Sequence, residues 1–251
     1  MNYVEHISLG GGALLNRLGR YLDLTDDERA AVEAMQAPSR RLAPGDTLMQ
    51  EGGQNDAMYV VEHGWLHSSA LLAMGGRQIV RFHYAGDLMG VSSIAWSQSA
   101  TTLTAIVDCT VAEVPKVALG HLFATERRLG GLLYAIAAAE SVAMADRLTS
   151  VGRMNAIDRV TTLLLDMVAR LRVTAGGIVD SFEMPLTQAD IGDATGLTKV
   201  HVNRTLREME RRGMIARMGK RVRLLDEAAL IAATGFVDRY SVVATDWLPR
   251  S

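Results

Sequence analysis

Between Arg41 and about Val114 the chain is broken every few residues by glycine, proline or aspartate; after Pro115 these residues nearly disappear. That change divides the molecule into a half made of short extended runs and a half made of helices. In the first stretch, apolar runs stand at Leu42, Met58–Val61, Trp65–Leu72, Gln78–Phe82, Leu103–Val107 and Val111–Val114. Turn signals fall at Pro44-Gly45-Asp46, Gly52-Gly53, Gly75-Gly76 and Gly86-Asp87. Short strands at this spacing predict an antiparallel barrel or jelly roll, although their alternation is imperfect. Ahead of them, Leu14, Leu15, Leu18, Leu22 and Leu24 mark a short amphipathic helix within 8–24, and Thr25-Asp26-Asp27-Glu28 opens a second helix ending before Pro38. The expected fold class is α+β.

Beyond Pro115, Leu129, Leu133, Ile136, Glu140, Met144, Leu148 and Val151 recur every three to four residues and predict a stripe along one long helix. The stripe can lie on its own barrel or pair with a second copy; self-pairing through Leu129, Leu133, Ile136, Glu140, Met144 and Leu148 is the expectation. A further helix is predicted over Asn155–Val173, broken by Gly176-Gly177. The expected organisation is a sensor-like domain over 1–124, a dimerisation helix over 125–153 and a third domain over 154–251. Its last part, from Glu227 to Tyr240, reads as an additional helix.

Charge separates the halves again. Residues 1–150 carry 11 basic and 16 acidic side chains, residues 151–251 carry 15 and 12, and the window 199–223 holds nine basic against two acidic. A local excess of that size is the electrostatic footprint of a nucleic-acid surface. Cys109 is the only cysteine, which excludes an intrachain disulfide, a four-cysteine zinc site and an all-cysteine iron–sulfur cluster within one chain. No basic run followed by an apolar core opens the chain, and the apolar stretch Leu129–Met144 is interrupted by Glu140. A cytoplasmic protein with no membrane partner is expected.

The sharpest local signal is the stretch Leu186–Ile215. Thr187 can cap a short helix, with Asp190 three residues on; Gly196 supplies a tight turn; Thr198 caps a second helix with Val200, Val202, Leu206 and Met209 at buried positions. Two short helices about a glycine turn make a helix-turn-helix, whose second helix enters a major groove. His201, Asn203, Arg204 and Arg207 are the expected DNA-facing residues, with Arg204 the foremost base reader, since arginine grips a guanine edge through two hydrogen bonds. Thr187, Thr198 and Lys199 are expected at backbone phosphates. Beyond Gly213, Ile215–Met218 and Val222–Leu225 flank a basic turn and complete a winged helix whose Arg217, Lys220 and Arg221 can reach flanking phosphates.

These pieces, together with Gly45-Asp46-Thr47-Leu48, Asn55-Asp56, Tyr59-Val60-Val61, Gly64 and Gly86-Asp87-Leu88-Met89-Gly90, resemble the cyclic-AMP receptor protein and fumarate–nitrate reduction regulator (Crp/Fnr) family over roughly residues 20–225. The resemblance implies a cyclic-nucleotide-binding-like β jelly roll, a long dimerisation helix and a C-terminal winged helix-turn-helix. It implies a non-catalytic homodimer on a roughly palindromic DNA operator, a small-molecule effector and contact with RNA polymerase. Nucleotide-binding relatives place a glutamate after the glycine matching Gly90, and an arginine before a Ser/Thr-Ala segment. Here Val91 and Ser99 stand there, and no Lys or Arg occurs between Arg81 and Lys116. Thr101 and Thr102 complete the candidate effector pocket, with donors but no permanent charge, so cyclic AMP is not the expected effector. The N-terminal cysteine group of iron–sulfur relatives is absent; His63, His67, His83 and Cys109 show no spacing that selects a pair of haem ligands. The helix position that carries a base-reading glutamate in the best-known members is Val200 here. Two other readings stay open from residues alone: a cupin-like metal enzyme using Asp56, His63, His83 and Asp87, and a protein-binding module.

Overall fold

The computed structural model describes residues 12–175, 179 and 181–249. Gly176 and Gly177, expected to break a helix, lie outside them, as do residues 8–11 of the expected first helix. The chain divides into two compact units, Met1–Ala138 with Val242–Ser251, and Ala139–Ser241.

The first unit opens with α1 (Ala13–Leu18) and α2 (Asp26–Ala34), the latter started by the expected capping box: the Thr25 hydroxyl accepts from Glu28 N, and the Glu28 carboxylate accepts from Thr25 N. The strands follow: β1 (Arg40–Leu42), β2 (Thr47–Met49), β3 (Ala57–His63), β4 (Leu66–Leu71), β5 (Arg77–His83) and β6 (Leu88–Met89). A single helical turn, α3 (Ser92–Ala95), precedes β7 (Thr102–Ala105) and β8 (Cys109–Pro115). They form two antiparallel four-stranded sheets, β1-β8-β3-β6 and β2-β7-β4-β5, the jelly-roll arrangement expected. The helices α4 (Lys116–Thr125) and the first part of α5 (Arg127–Arg153) close the unit.

One core lies between the sheets, with Tyr59, Val61 and Val111 facing Leu66, Leu103 and Ala105. A second lies between the outer face of β3 and β8 and the helices: Met58, Val60, Ala112 and Val114 meet Leu14, Leu18, Val32, Leu122, Leu129 and Leu132. The sheet holding β3 is therefore buried on both faces. Successive β3 side chains alternate between two apolar cores, so the sequence reads as a continuous apolar run instead of an apolar–polar alternation. Three strands, β1, β2 and β6, are only two or three residues long and are held by partners distant in sequence, such as Arg41 opposite Thr110 and Val60 opposite Leu88.

The stripe expected to pair with a second copy is divided. Leu129 and Ile136 are buried within their own chain and Leu133 is packed on the same core, while Met144 and Leu148 are exposed. The chain end is also redistributed. Val242–Ser251 belongs with the first unit: Leu248 is buried in its helix-side core, and the Thr245 hydroxyl lies 3.4 Å from the Tyr21 carbonyl. A Cβ on Gly131 of α5 would stand 2.4 Å from a Leu248 methyl, so the absence of a side chain there makes room for the chain end.

The second unit takes the rest of α5, then α6 (Ala156–Ala175), β9 (Ser181–Glu183), α7 (Gln188–Thr195), α8 (Lys199–Arg211), β10 (Ile215–Met218), β11 (Arg221–Leu224) and α9 (Glu227–Thr234). The wing is a three-stranded antiparallel sheet ordered β10-β11-β9. Its third strand alternates Ser181 and Glu183 outward with Phe182 buried, but it is too short to stand out in the sequence. The helix expected over Glu227–Tyr240 stops at Thr234, where Gly235 takes up a left-handed conformation. Arg239 then pairs with Asp146 at 2.8 Å, and Tyr240 donates to Asp166 at 2.8 Å with its ring beneath the Arg170 guanidinium.

Candidate nucleic-acid interface

The helix pair that makes the interface is built by local chemistry and then locked by its neighbours. Thr187 caps α7 through Asp190 N at 3.1 Å, and the Asp190 carboxylate in return accepts from Thr187 N and its hydroxyl. At the other end Gly196 sits at φ +68°, a left-handed conformation that glycine adopts without strain. Gly192 lets the turn fold back closely: a Cβ there would meet the Leu197 carbonyl at 2.5 Å. Thr198 then caps α8 through His201 N at 3.2 Å.

Two arginines that the sequence did not single out hold α7 by its C-terminus. Arg147 on α5 donates to the Ala194 carbonyl at 2.9 Å, and Arg159 on α6 donates to the Thr195 carbonyl at 3.2 Å and to the Met154 carbonyl at 2.8 Å. The last carbonyls of a helix lack partners within it and carry the negative end of its dipole, so a guanidinium satisfies both needs.

The buried side of α8 consists of Val202, Thr205, Leu206 and Met209, packed on α6 and α7. The opposite side presents Lys199, His201, Arg204 and Arg207 exposed and Asn203 half-buried. Val200 departs from expectation: it is 71% exposed, on the outward face. Residues two apart on an α-helix stand about 200° from each other, so with Val202, Leu206 and Met209 facing inward Val200 turns out.

The nine basic residues of this region are not equivalent. Glu208 accepts from both Arg211 and Arg212 at 2.6 Å, and those guanidiniums hold its carboxyl down to about 2. Glu210 takes Arg217 at 2.6 Å, and that hydrogen bond lowers its carboxyl likewise. Arg217, expected to reach flanking phosphate, thus has its charge balanced inside the unit. Among the described residues, Lys199, Arg204, Arg207 and Lys220 have no such hydrogen bond or ion pair. Lys220 and Arg221 stand exposed at the β10–β11 turn, Arg221 donating to the Ser181 hydroxyl. The field directed outward therefore comes from α8's first two turns and the wing tip.

In the first unit, expected from the sequence to be sensor-like, the residues expected to line an effector pocket are largely engaged. Ser99 is buried, and its hydroxyl donates to the Thr101 carbonyl at 2.6 Å. The Thr102 hydroxyl accepts from Glu51 N, and Val91 is partly exposed. Ser93 and Asn55 both donate to the Ala57 carbonyl. A cyclic phosphate needs cationic or amide donors aimed at it, and this set does not fit one.

The cysteine and histidines are equally occupied. Cys109 is buried with its sulfur near the Trp65 and Val107 carbonyls, and burial pushes its thiol above the ordinary range. The His67 and His83 side chains reach Arg77 and Ser68. Asp56 and His63 are exposed, whereas His83 and Asp87 are buried. Among the described residues no group of three or more His, Cys, Asp or Glu is placed to hold a metal ion.

Residues 158–233 match the family model of the Crp-like helix-turn-helix domain, and residues 39–126 match that of the cyclic nucleotide-binding domain. The chain belongs to the Crp/Fnr family of transcription regulators. The transcriptional activator protein FnrA of Stutzerimonas stutzeri is 26% identical over 214 residues, 85% of this chain and 87% of that protein. The fumarate and nitrate reduction regulatory protein of Escherichia coli is 24% identical over 238 residues, covering 92% and 95%. The structure of FixK2 from Bradyrhizobium japonicum is similar with a TM-score of 0.70 and 28% identity, covering 78% of this chain and 96% of that one. This Crp/Fnr protein is a DNA-binding transcription regulator, and the enzyme reading of its barrel is set aside by that membership.

Proposed function

We propose that this Crp/Fnr regulator acts as a homodimer in the cytoplasm, placing one α8 helix in each half of a roughly palindromic duplex site, with no control by cyclic AMP. The observation that carries the reading is the two-sidedness of α8: one side closes a core while the other aims Lys199, His201, Asn203, Arg204 and Arg207 away from it. Arg204 reads a guanine edge, Asn203 and His201 lie beside it, and Thr198, Lys199, Arg207, Lys220 and Arg221 contact backbone phosphates. Thr187 contributes through its place at the start of α7. Arg217 joins them only if Glu210 releases it.

Support for self-pairing comes from an exposed seam of α5 that shares only Leu148 with the apolar stripe. Tyr134, Ala138, Ser141, Ala145, Leu148 and Gly152 are all exposed and recur in alternating steps of four and three. That is a heptad seam, and its alanines and glycine let a second helix approach closely. By length and composition α5 could also cross a membrane, with only 17% of its most apolar window buried. Glu140, Asp146 and Arg147 favour a partner helix, because ionised groups in hydrocarbon cost several kcal/mol.

Support for independence from cyclic nucleotides comes from Val91 and from the engaged Ser99 and Thr102. An effector, if the jelly roll takes one at Val91, Ser99, Thr101 and Thr102, is an uncharged small molecule. RNA polymerase is the partner through which a bound dimer acts. The test is selection of duplexes from a random pool by the purified chain, followed by titration against salt. A recovered inverted repeat, with affinity falling by roughly 0.9 log unit per log unit of salt for each phosphate contacted, supports the reading. Binding without sequence preference would overturn it.

A further inference from the structure

Val200 is the one exposed apolar side chain of α8. It is also central to the outward face. Steps of three and four residues from it lead to Asn203, Arg204, Arg207 and Arg211, while Val202, Leu206 and Met209 lie on the far side. Single apolar residues on a surface are ordinary, and exposure alone carries nothing. Position decides here. The first turn of a groove-inserted helix is the part that reaches base edges, and Val200 occupies that turn between Lys199 and His201.

At a base edge in the major groove an isopropyl group can neither donate nor accept a hydrogen bond. Against cytosine N4, adenine N6 or guanine O6 it would exclude water and leave a polar atom without a partner. The one feature it complements is the C5 methyl of thymine. We propose that Val200 reads a thymine methyl in each half-site, next to the base read by Arg204. The inference rests on the DNA-reading role of α8 and names a base that this role leaves open.

The experiment uses the full-length protein and the duplex it selects, with each thymine replaced in turn by uracil, which deletes only the methyl. One symmetric pair of positions should respond. Burying a methyl is worth about 0.8 kcal/mol, so affinity should fall about fourfold per half-site and about fifteenfold when both are replaced. In Val200→Ser that uracil penalty should vanish, while Arg204→Ala should keep it. Both substitutions are on exposed positions, and an unchanged melting temperature checks that the fold persists. A selected site indifferent to uracil everywhere, or a penalty that survives in Val200→Ser, overturns the proposal alone. Failure to select any sequence overturns the DNA reading and this inference together.

Discussion

Glu28 shows how one buried side chain can serve two elements. Its carboxylate caps α2 through Thr25 and accepts from Nε and Nη2 of Arg128 on α5 at 2.7 Å, with only 5% of its side chain exposed. The Arg128 hydrogen bonds hold its carboxyl below the ordinary value of 4.5, against the opposing effect of burial. A depressed carboxylate stabilises the fold above the unfolded value and loses that contribution as pH falls through the folded one. The sensor unit should therefore weaken below about pH 4.5 in part through this pair. Replacing Glu28 by Gln should cost about 3 kcal/mol near neutrality, leaving Arg128 buried without its charge partner, and should flatten the acid limb of stability in a denaturant titration. Cys109 lends itself to a simpler measurement. Its protonated, buried thiol should react with a thiol reagent only on unfolding; rapid labelling of the native protein would contradict its placement.

At the level of elements, the reader pair depends on anchors outside itself. Replacing Arg159 by Ala removes the donor from the Thr195 and Met154 carbonyls and should loosen α7 against α6. Affinity for the selected duplex should drop several-fold, with a loss of stability of about 1–2 kcal/mol, although Arg159 itself lies behind the DNA-facing side. The long helix yields a contrasting test. Ala145→Glu places charge in the middle of the exposed seam and should convert the proposed dimer to monomer by sedimentation, leaving each chain folded. Ile136→Lys should instead unfold the sensor unit, because Ile136 is buried in its own chain. The apolar stripe stands out in the sequence because leucine and isoleucine are strongly apolar. The seam of Tyr134, Ala138, Ser141, Ala145, Leu148 and Gly152 holds a single leucine and is visible only once Leu129, Leu133 and Ile136 have found their intramolecular partners.

For the whole molecule, the notable feature is connectivity. The unit Ala139–Ser241 is bounded on both sides by stretches of the sensor unit, since the chain returns with Val242. Ending the chain after Ser241 should remove Leu248 and Val243 from the helix-side core and lower the stability of the sensor unit by about 2–3 kcal/mol, read as a separate shift of its melting transition. An unchanged transition would mean that the returning segment only rests on the surface.

Whatever depends on neighbours a few positions apart is determined by the sequence itself. The caps at Thr25, Thr187 and Thr198, the turn at Gly196, the longer strands and the α8 periodicity all follow from interactions within one or two turns. The charge excess over 199–223 was equally visible, because composition needs no fold. What folding alone settled was which of those charges stay available, which face of α5 is left uncovered, that Val200 points outward, and where the last residues pack. The charges are taken up by partners only three to seven residues away, but on side chains whose pairing composition does not reveal; the other three depend on contacts between residues much farther apart in the chain. No local pattern encodes such a contact: Arg128 meets Glu28, and Leu248 fills the space over Gly131, only because the core brings them together.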